Sequence, residues 1–136
     1  MAMEQAAASR DVSRQRTVVS AFLAASRGGD FEALLTLLDP EVVLRADNAV
    51  VSMAARSHWL QASEVHGAQD VAKQFAGRAQ VARPALVDGV PGAVWAHGGR
   101  TRVVFAFTIV DAKVAAIELI ADPERLSRLN VAALDD

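Results

Sequence analysis

The sequence contains no cysteine, which excludes structural disulfides, thiolate metal sites and a cysteine nucleophile. It has no surplus of either charge: 14 Lys and Arg stand against 16 Asp and Glu, for a net charge of −2. Phosphate contacts need a concentrated basic surface, so direct nucleic-acid binding is not expected. No apolar run is long enough to span a bilayer, and the opening MAMEQAAASRDVSRQR lacks the apolar centre of a secretory signal. A cytoplasmic protein without membrane association is therefore the expectation. His58, His66 and His97 have no second ligand at metal-binding spacing, so no zinc site is expected and no cofactor is implied. Also missing are internal repeats, a glycine-rich phosphate loop, a Ser-His-Asp elbow and a stripe of bases with aromatics.

What is present is a chain of 136 residues, 52% hydrophobic and 22% charged, enough to bury one core. Residues 1–11 are small and polar and read as an arm or linker, and residues 12–136 as a single domain. From Val12 the pattern is helical, with Val18, Val19, Phe22 and Leu23 on one stripe and Gly28-Gly29 as the stop. Asp30 caps a second helix through Leu38, which Asp39-Pro40 ends. Residues 41–47, EVVLRAD, form a short strand with Val43 and Arg45 on one face and Val42, Leu44 and Ala46 on the other. Residues 48–66 form a long excursion holding one helical turn or an edge strand, and a third helix covers Gly67 to Gly77. Ala79–Val87 begins the sheet. The stretch from Leu86 to Leu129 then reads as three consecutive antiparallel strands and a closing helix. Its strand runs are Val94-Trp95, Val103–Ile109 and Val114–Ile120, and its turns are Asp88-Gly89 and Gly98-Gly99. The order specifies α+β: a curved, mostly antiparallel sheet with three helices on its concave face.

Several literal stretches carry a family resemblance. They are VVSAFLAASRGGDFEALLTLLDPEVVLRAD (18–47), HGAQDVAKQ (66–74), RPALVDGVPGAVW (83–95) and the ending IADPERLSRLNVAALDD (120–136). Together they resemble the SnoaL-like branch of the cone-shaped fold shared with ketosteroid isomerases and nuclear transport factor 2. Within that branch the chain is most similar to the C-terminal SnoaL-like domain of actinobacterial extracytoplasmic-function sigma factors. The resemblance implies a non-enzymatic regulatory domain that contacts the sigma helical domains or RNA polymerase and tunes promoter opening. It also implies either an excised C-terminal domain or a stand-alone relative. Some of these sigma factors carry a DGGG-type segment after the first strand, used in contacting the sigma domains; here Asp47-Asn48-Ala49-Val50 stands in its place. The intact Asp122-Pro123-Glu124-Arg125-Leu126, with the helix face around Arg14 to Arg27, is then the expected partner interface.

The cone fold encloses a pocket, so an alternative is a small isomerase, cyclase or hydrolase, or a protein that binds an apolar ligand. Isomerase chemistry of this kind needs a carboxylate base in an apolar cavity and donors for an enolate. Asp88 and Asp111 read as turn residues, and Glu118 alternates to the outer sheet surface. Asp47 reads either as a capping residue, the commoner duty of aspartate, or as the cavity base, with Arg45 or His58 assisting. Arg45 itself reads as a surface ion-pair partner or as a polar partner of Asp47 at the cavity mouth. His58 beside Trp59 falls in the long excursion, where a pocket lid is conceivable. Trp95, Phe105 and Phe107 form sheet core or, together with Trp59, line an apolar pocket. A β-branched sheet face left uncovered by helices implies a homodimer for the isolated domain.

Overall fold

The computed structural model describes residues 2–55, 63–77 and 82–133. Helix α1 spans Ala2–Gly28. Its backbone is helical from Ala2, ahead of the start read at Val12, because alanine, glutamate and glutamine are strong helix formers and no breaker precedes Gly28. Gly29, at φ 68°, turns the chain out of α1 while the Asp30 amide donates to the Ala25 carbonyl at 2.9 Å. Asp30 then caps α2 (Phe31–Leu37), its side chain accepting from the Ala33 amide at 3.1 Å.

Strand β1 spans Leu38–Ala46 and so takes in Asp39-Pro40, which the sequence reads only as a stop. Proline is tolerated there because the ladder to its neighbour shifts register between Leu38 and Val43. The long excursion, read as holding one helical turn or an edge strand, holds both an eight-residue helix, α3 (Asn48–Ala55), and an edge strand, β2 (Glu64–His66). Helix α4 (Ala68–Phe75) follows, and then β3 (Arg83–Val87), β4 (Val90–His97), β5 (Arg100–Val110) and β6 (Lys113–Ile120). Helix α5 (Pro123–Arg128) and strand β7 (Val131–Ala133) close the described chain.

The seven strands form one open, curved sheet in the order β2-β1-β6-β5-β4-β3-β7. All neighbours are antiparallel except β1 and β6. Register shifts at Trp95/Ala96 and Thr108/Ile109 mark bulges, which bend a sheet and increase its twist. Strands β3 to β6 form a meander of four strands, β3 falling in the Ala79–Val87 stretch read as the start of the sheet and β4 to β6 on the three runs read after it. Its two-residue turns are Asp88-Gly89, Gly98-Gly99 and Asp111-Ala112, all at positive φ. Ala112, at φ 63°, occupies the left-handed region with a Cβ. Ala112→Gly should relieve roughly 1–2 kcal/mol of strain against about 0.5–1 kcal/mol of added unfolded-state entropy. The net expectation, about 0 to 1.5 kcal/mol, is a Tm higher by up to about 5 °C, and a lower Tm would refute it.

Alternation along the strands divides the molecule into two unequal cores. Helices α1, α2 and α4 cover the concave face, where Phe22, Leu34 and Phe75 meet Leu44, Phe105, Ile117 and Leu119. On the opposite face a smaller cluster of Val87, Val104 and Ile120 is covered by Leu126, Leu129 and Val131. Gly92, inside β4, has no room for a side chain: a Cβ there would lie 2.6 Å from the Phe105 carbonyl oxygen and 3.2 Å from Val87 Cγ2. The nearer neighbour is backbone and cannot rotate aside. Gly92→Ala should therefore cost about 1–3 kcal/mol, seen as a lower urea midpoint; unchanged stability would contradict this packing.

Candidate functional site

The alternation of β1 places Val42, Leu44 and Ala46 in the core and leaves Arg45 exposed. Asp47 follows at the strand end and begins α3. Its carbonyl accepts from the Val51 amide at 3.1 Å and its Oδ1 from the Val50 amide at 2.9 Å, the geometry of an N-cap. Its other oxygen, Oδ2, reaches across the sheet and accepts from the amides of Ala121 (2.9 Å) and Asp122 (3.0 Å). The Arg125 guanidinium lies 3.7 Å from the same oxygen and 3.2 Å from Glu118 Oε1. Burial acts to raise the Asp47 carboxyl, but the amides of Asp122, Val50 and Ala121 and the Arg125 charge outweigh it and hold it below its ordinary value. A carboxylate whose proton affinity is lowered and whose oxygens are engaged is a poor general base. As it stands in the fold, Asp47 joins α3, β6 and α5.

Arg45 does not pair with Asp47. It faces β2, 3.6 Å from Glu64, whose other oxygen lies 2.6 Å from His66 Nε2. These side chains are all about half exposed or more, so the cluster is a solvated one of small energetic weight. His58 and Trp59 lie outside the described residues. His97 ends β4 beside the Gly98-Gly99 turn.

Where the fold could hold a pocket, between helices and sheet, phenylalanine rings are in contact. Phe22 of α1 stands edge-on to Phe75 of α4 (centroids 5.1 Å apart) and to Phe107 of β5 (5.3 Å), and Phe75 lies 6.4 Å from Phe105. All four are buried. Phe105 and Phe107 thus pack as core in this arrangement, with Trp95 half-buried against the same cluster. Phe22 lies on the helical stripe read from the sequence, but its meeting with Phe75 and the sheet aromatics depends on how α1 and α4 cross the sheet.

The segment Asp122 to Leu126 is engaged largely within the chain. Asp122 caps α5, accepting from the Glu124 amide at 3.3 Å, and Pro123 opens the helix. Arg125 binds Asp47 and Glu118, and Leu126 packs on the smaller cluster. Glu124 faces solvent and pairs with Arg128 at 3.1 Å. Farther along, Asp88 Oδ1 accepts from the Asn130 amide at 2.8 Å while the Asn130 carbonyl accepts from the Asp88 amide at 2.8 Å. Among the described residues no three acidic or histidine side chains gather as metal ligands, and no helix is long and apolar enough to cross a membrane.

This architecture is the NTF2-like, or SnoaL-like, fold. The extracytoplasmic function sigma factor SigJ of Mycobacterium tuberculosis matches it with a TM-score of 0.61 and 26% identity over 83% of this chain. The match takes in 44% of SigJ, so the chain spans less than half of that protein. An NTF2-like protein of Burkholderia xenovorans LB400 matches with a TM-score of 0.54 and 19% identity, covering 86% of this chain and 95% of its own. TerC, crystallised with polyporic acid, matches with a TM-score of 0.52 and 15% identity over 84% of this chain and 95% of its own. No family model matches the sequence, and no curated protein matches it closely.

Proposed function

We propose that this chain is a non-enzymatic regulatory module that modulates transcription initiation through protein–protein contacts with sigma-factor helical domains or RNA polymerase. The observation that carries the reading is the likeness to SigJ, a sigma factor, across 83% of the chain. Two features of the interior support it: the phenylalanine cluster occupies the space between helices and sheet, and the Asp47 carboxylate is tied to three amides. Of the Asp122–Leu126 segment, the solvent side of α5 is what a partner meets, and Glu124 and Arg128 lie there. The test is co-purification of this chain with separately produced sigma helical domains, followed by run-off transcription with and without it. A Glu124→Lys/Arg128→Glu double variant should bind at least ten times more weakly. No complex at about 100 μM, and no effect on transcription, would sink the proposal.

A second reading, a protein that binds or converts an apolar carbonyl compound, is favoured by the fold itself, since TerC was crystallised with polyporic acid. A thermal-shift screen against flat aromatic carbonyl compounds separates the two. A saturating ligand at a hundred times its Kd adds about 2.7 kcal/mol of stability.

A further inference from the structure

The smaller core is covered by a segment that buries none of its own helical residues. Helix α5 is six residues long with no residue fully buried, and β7 has three residues. A helix below roughly 12–15 residues is marginal by itself in water, so this segment owes its structure to the body beneath it. That body has its own larger core, built by the three helices and the concave face. The segment is fastened at two ends, each time by a carboxylate accepting backbone N–H groups. Asp47 takes the amides of Ala121 and Asp122 at the near end, and Asp88 takes that of Asn130 at the far end. Between these anchors Leu126, Leu129 and Val131 lie over the strip of Val87, Val104 and Ile120, and β7 adds to the edge of β3.

We propose that residues 122–133 form an exchangeable strap, and that the strip beneath is an interaction surface for the same segment of a second copy of this chain. The occupant follows from the chemistry of the site. A ligand must bring an apolar underside of Leu-x-x-Leu-x-Val spacing, an amide for Asp88, a guanidinium for Asp47 and Glu118, and a strand for β3. The strap has all of these, so one supplied by another copy re-forms the contacts of Arg125, Leu126, Leu129, Asn130 and β7, while the Ala121 and Asp122 amides, continuous with β6, stay on the Asp47 of their own chain. Exchange of identical elements is a low-cost route to dimers, opposed chiefly by association entropy. A dimer of this kind leaves the concave core untouched and buries the strip in both copies. The inference stands independently of the regulatory reading.

Because the chain has no cysteine, one engineered pair reports the exchange. Leu86 and Ala132 are direct register partners across β3 and β7, so Leu86→Cys/Ala132→Cys places two thiols side by side. The full-length double variant, refolded at increasing concentration and then oxidised, is separated without reductant. The expected result is a dimer joined by disulfides between chains, its fraction rising with concentration and falling when a tenfold excess of synthetic peptide 120–133 is present. Monomer throughout, or dimers whose disulfides all lie within one chain, would overturn the proposal. Hydrogen exchange on the unmodified protein is the check that needs no substitution. The amides of Leu126, Leu129 and Asn130 should open together, at least tenfold faster than those of β5 and β6. Release of these amides only with global unfolding would equally overturn it.

Discussion

Phe22→Ala should be the most damaging single substitution in this protein, costing about 3–5 kcal/mol. Phe22 is fully buried and in edge contact with both Phe75 and Phe107. Its removal takes away the transfer energy of a large ring and leaves a void that the surrounding sheet cannot collapse to fill. The urea midpoint should fall with little change in slope. The void would be lined by phenylalanine, and dry apolar cavities of this sort take up small aromatic molecules. Benzene or indole should therefore raise the Tm of Phe22→Ala and leave that of the parent protein unchanged. A parent protein that responds equally would mean that the space between helices and sheet is already open, and would favour the ligand-binding reading.

Asp47→Asn comes next, at about 2–4 kcal/mol, from at least one amide losing its acceptor at about 1–3 kcal/mol and the remaining contacts losing their charge assistance. The substitution preserves shape but replaces one carboxylate oxygen with an N–H donor. With the amide group directed so that its oxygen still caps α3, its nitrogen faces the amides of Ala121 and Asp122 and the Arg125 guanidinium. Flipping it restores those contacts and uncaps the helix instead. The pH dependence gives a separate reading. The folded carboxyl titrates below its ordinary value, so the stabilisation is complete above the ordinary aspartate range and is lost as pH falls through the folded value. The stability difference between the parent and Asp47→Asn should be constant near neutrality and shrink on the acid side. A difference that persists undiminished down to the acid transition would show that the Asp47 charge has no part in it.

The alternating pattern of residues 41–47 separated the two faces of β1, because a period of two is a direct consequence of the pleat, but it did not decide which face is buried, since Arg45 admits two readings. The turn dipeptides located the hairpins for the same kind of reason, since few residues accept positive φ. Pro91-Gly92 concealed the first half of β4, because both residues weaken a strand reading. Gly92 is nevertheless needed there to let the Phe105 carbonyl approach. Asp47 was visible as a candidate of two kinds, a cap or a base, and its local sequence favoured the cap. Its second task, holding Ala121 and Asp122, joins positions far apart along the chain and leaves no local pattern. Arg125 shows the same limit. Its sequence neighbourhood resembles a partner-binding motif, whereas Asp47 and Glu118 are brought to it only by the pairing of β1 with β6.

That parallel pairing also sets an order of events. Strands β3 to β6 are joined by turns of two residues, so each can zip onto its predecessor with little loop-closure entropy. Strand β1 must instead find β6 across the intervening helices and the whole meander, and non-local pairing of this kind is slow. Meander contacts such as Val104 with Ile120 would then be formed in the transition state for folding, and contacts such as Leu44 with Ile117 only after it. Conservative truncation of Val104 should slow folding, and truncation of Leu44 should chiefly speed unfolding. The part of the sheet that docks last is therefore the part that ends in Asp47, and the chain cannot complete the near anchor of its closing helix until β1 and β6 have met.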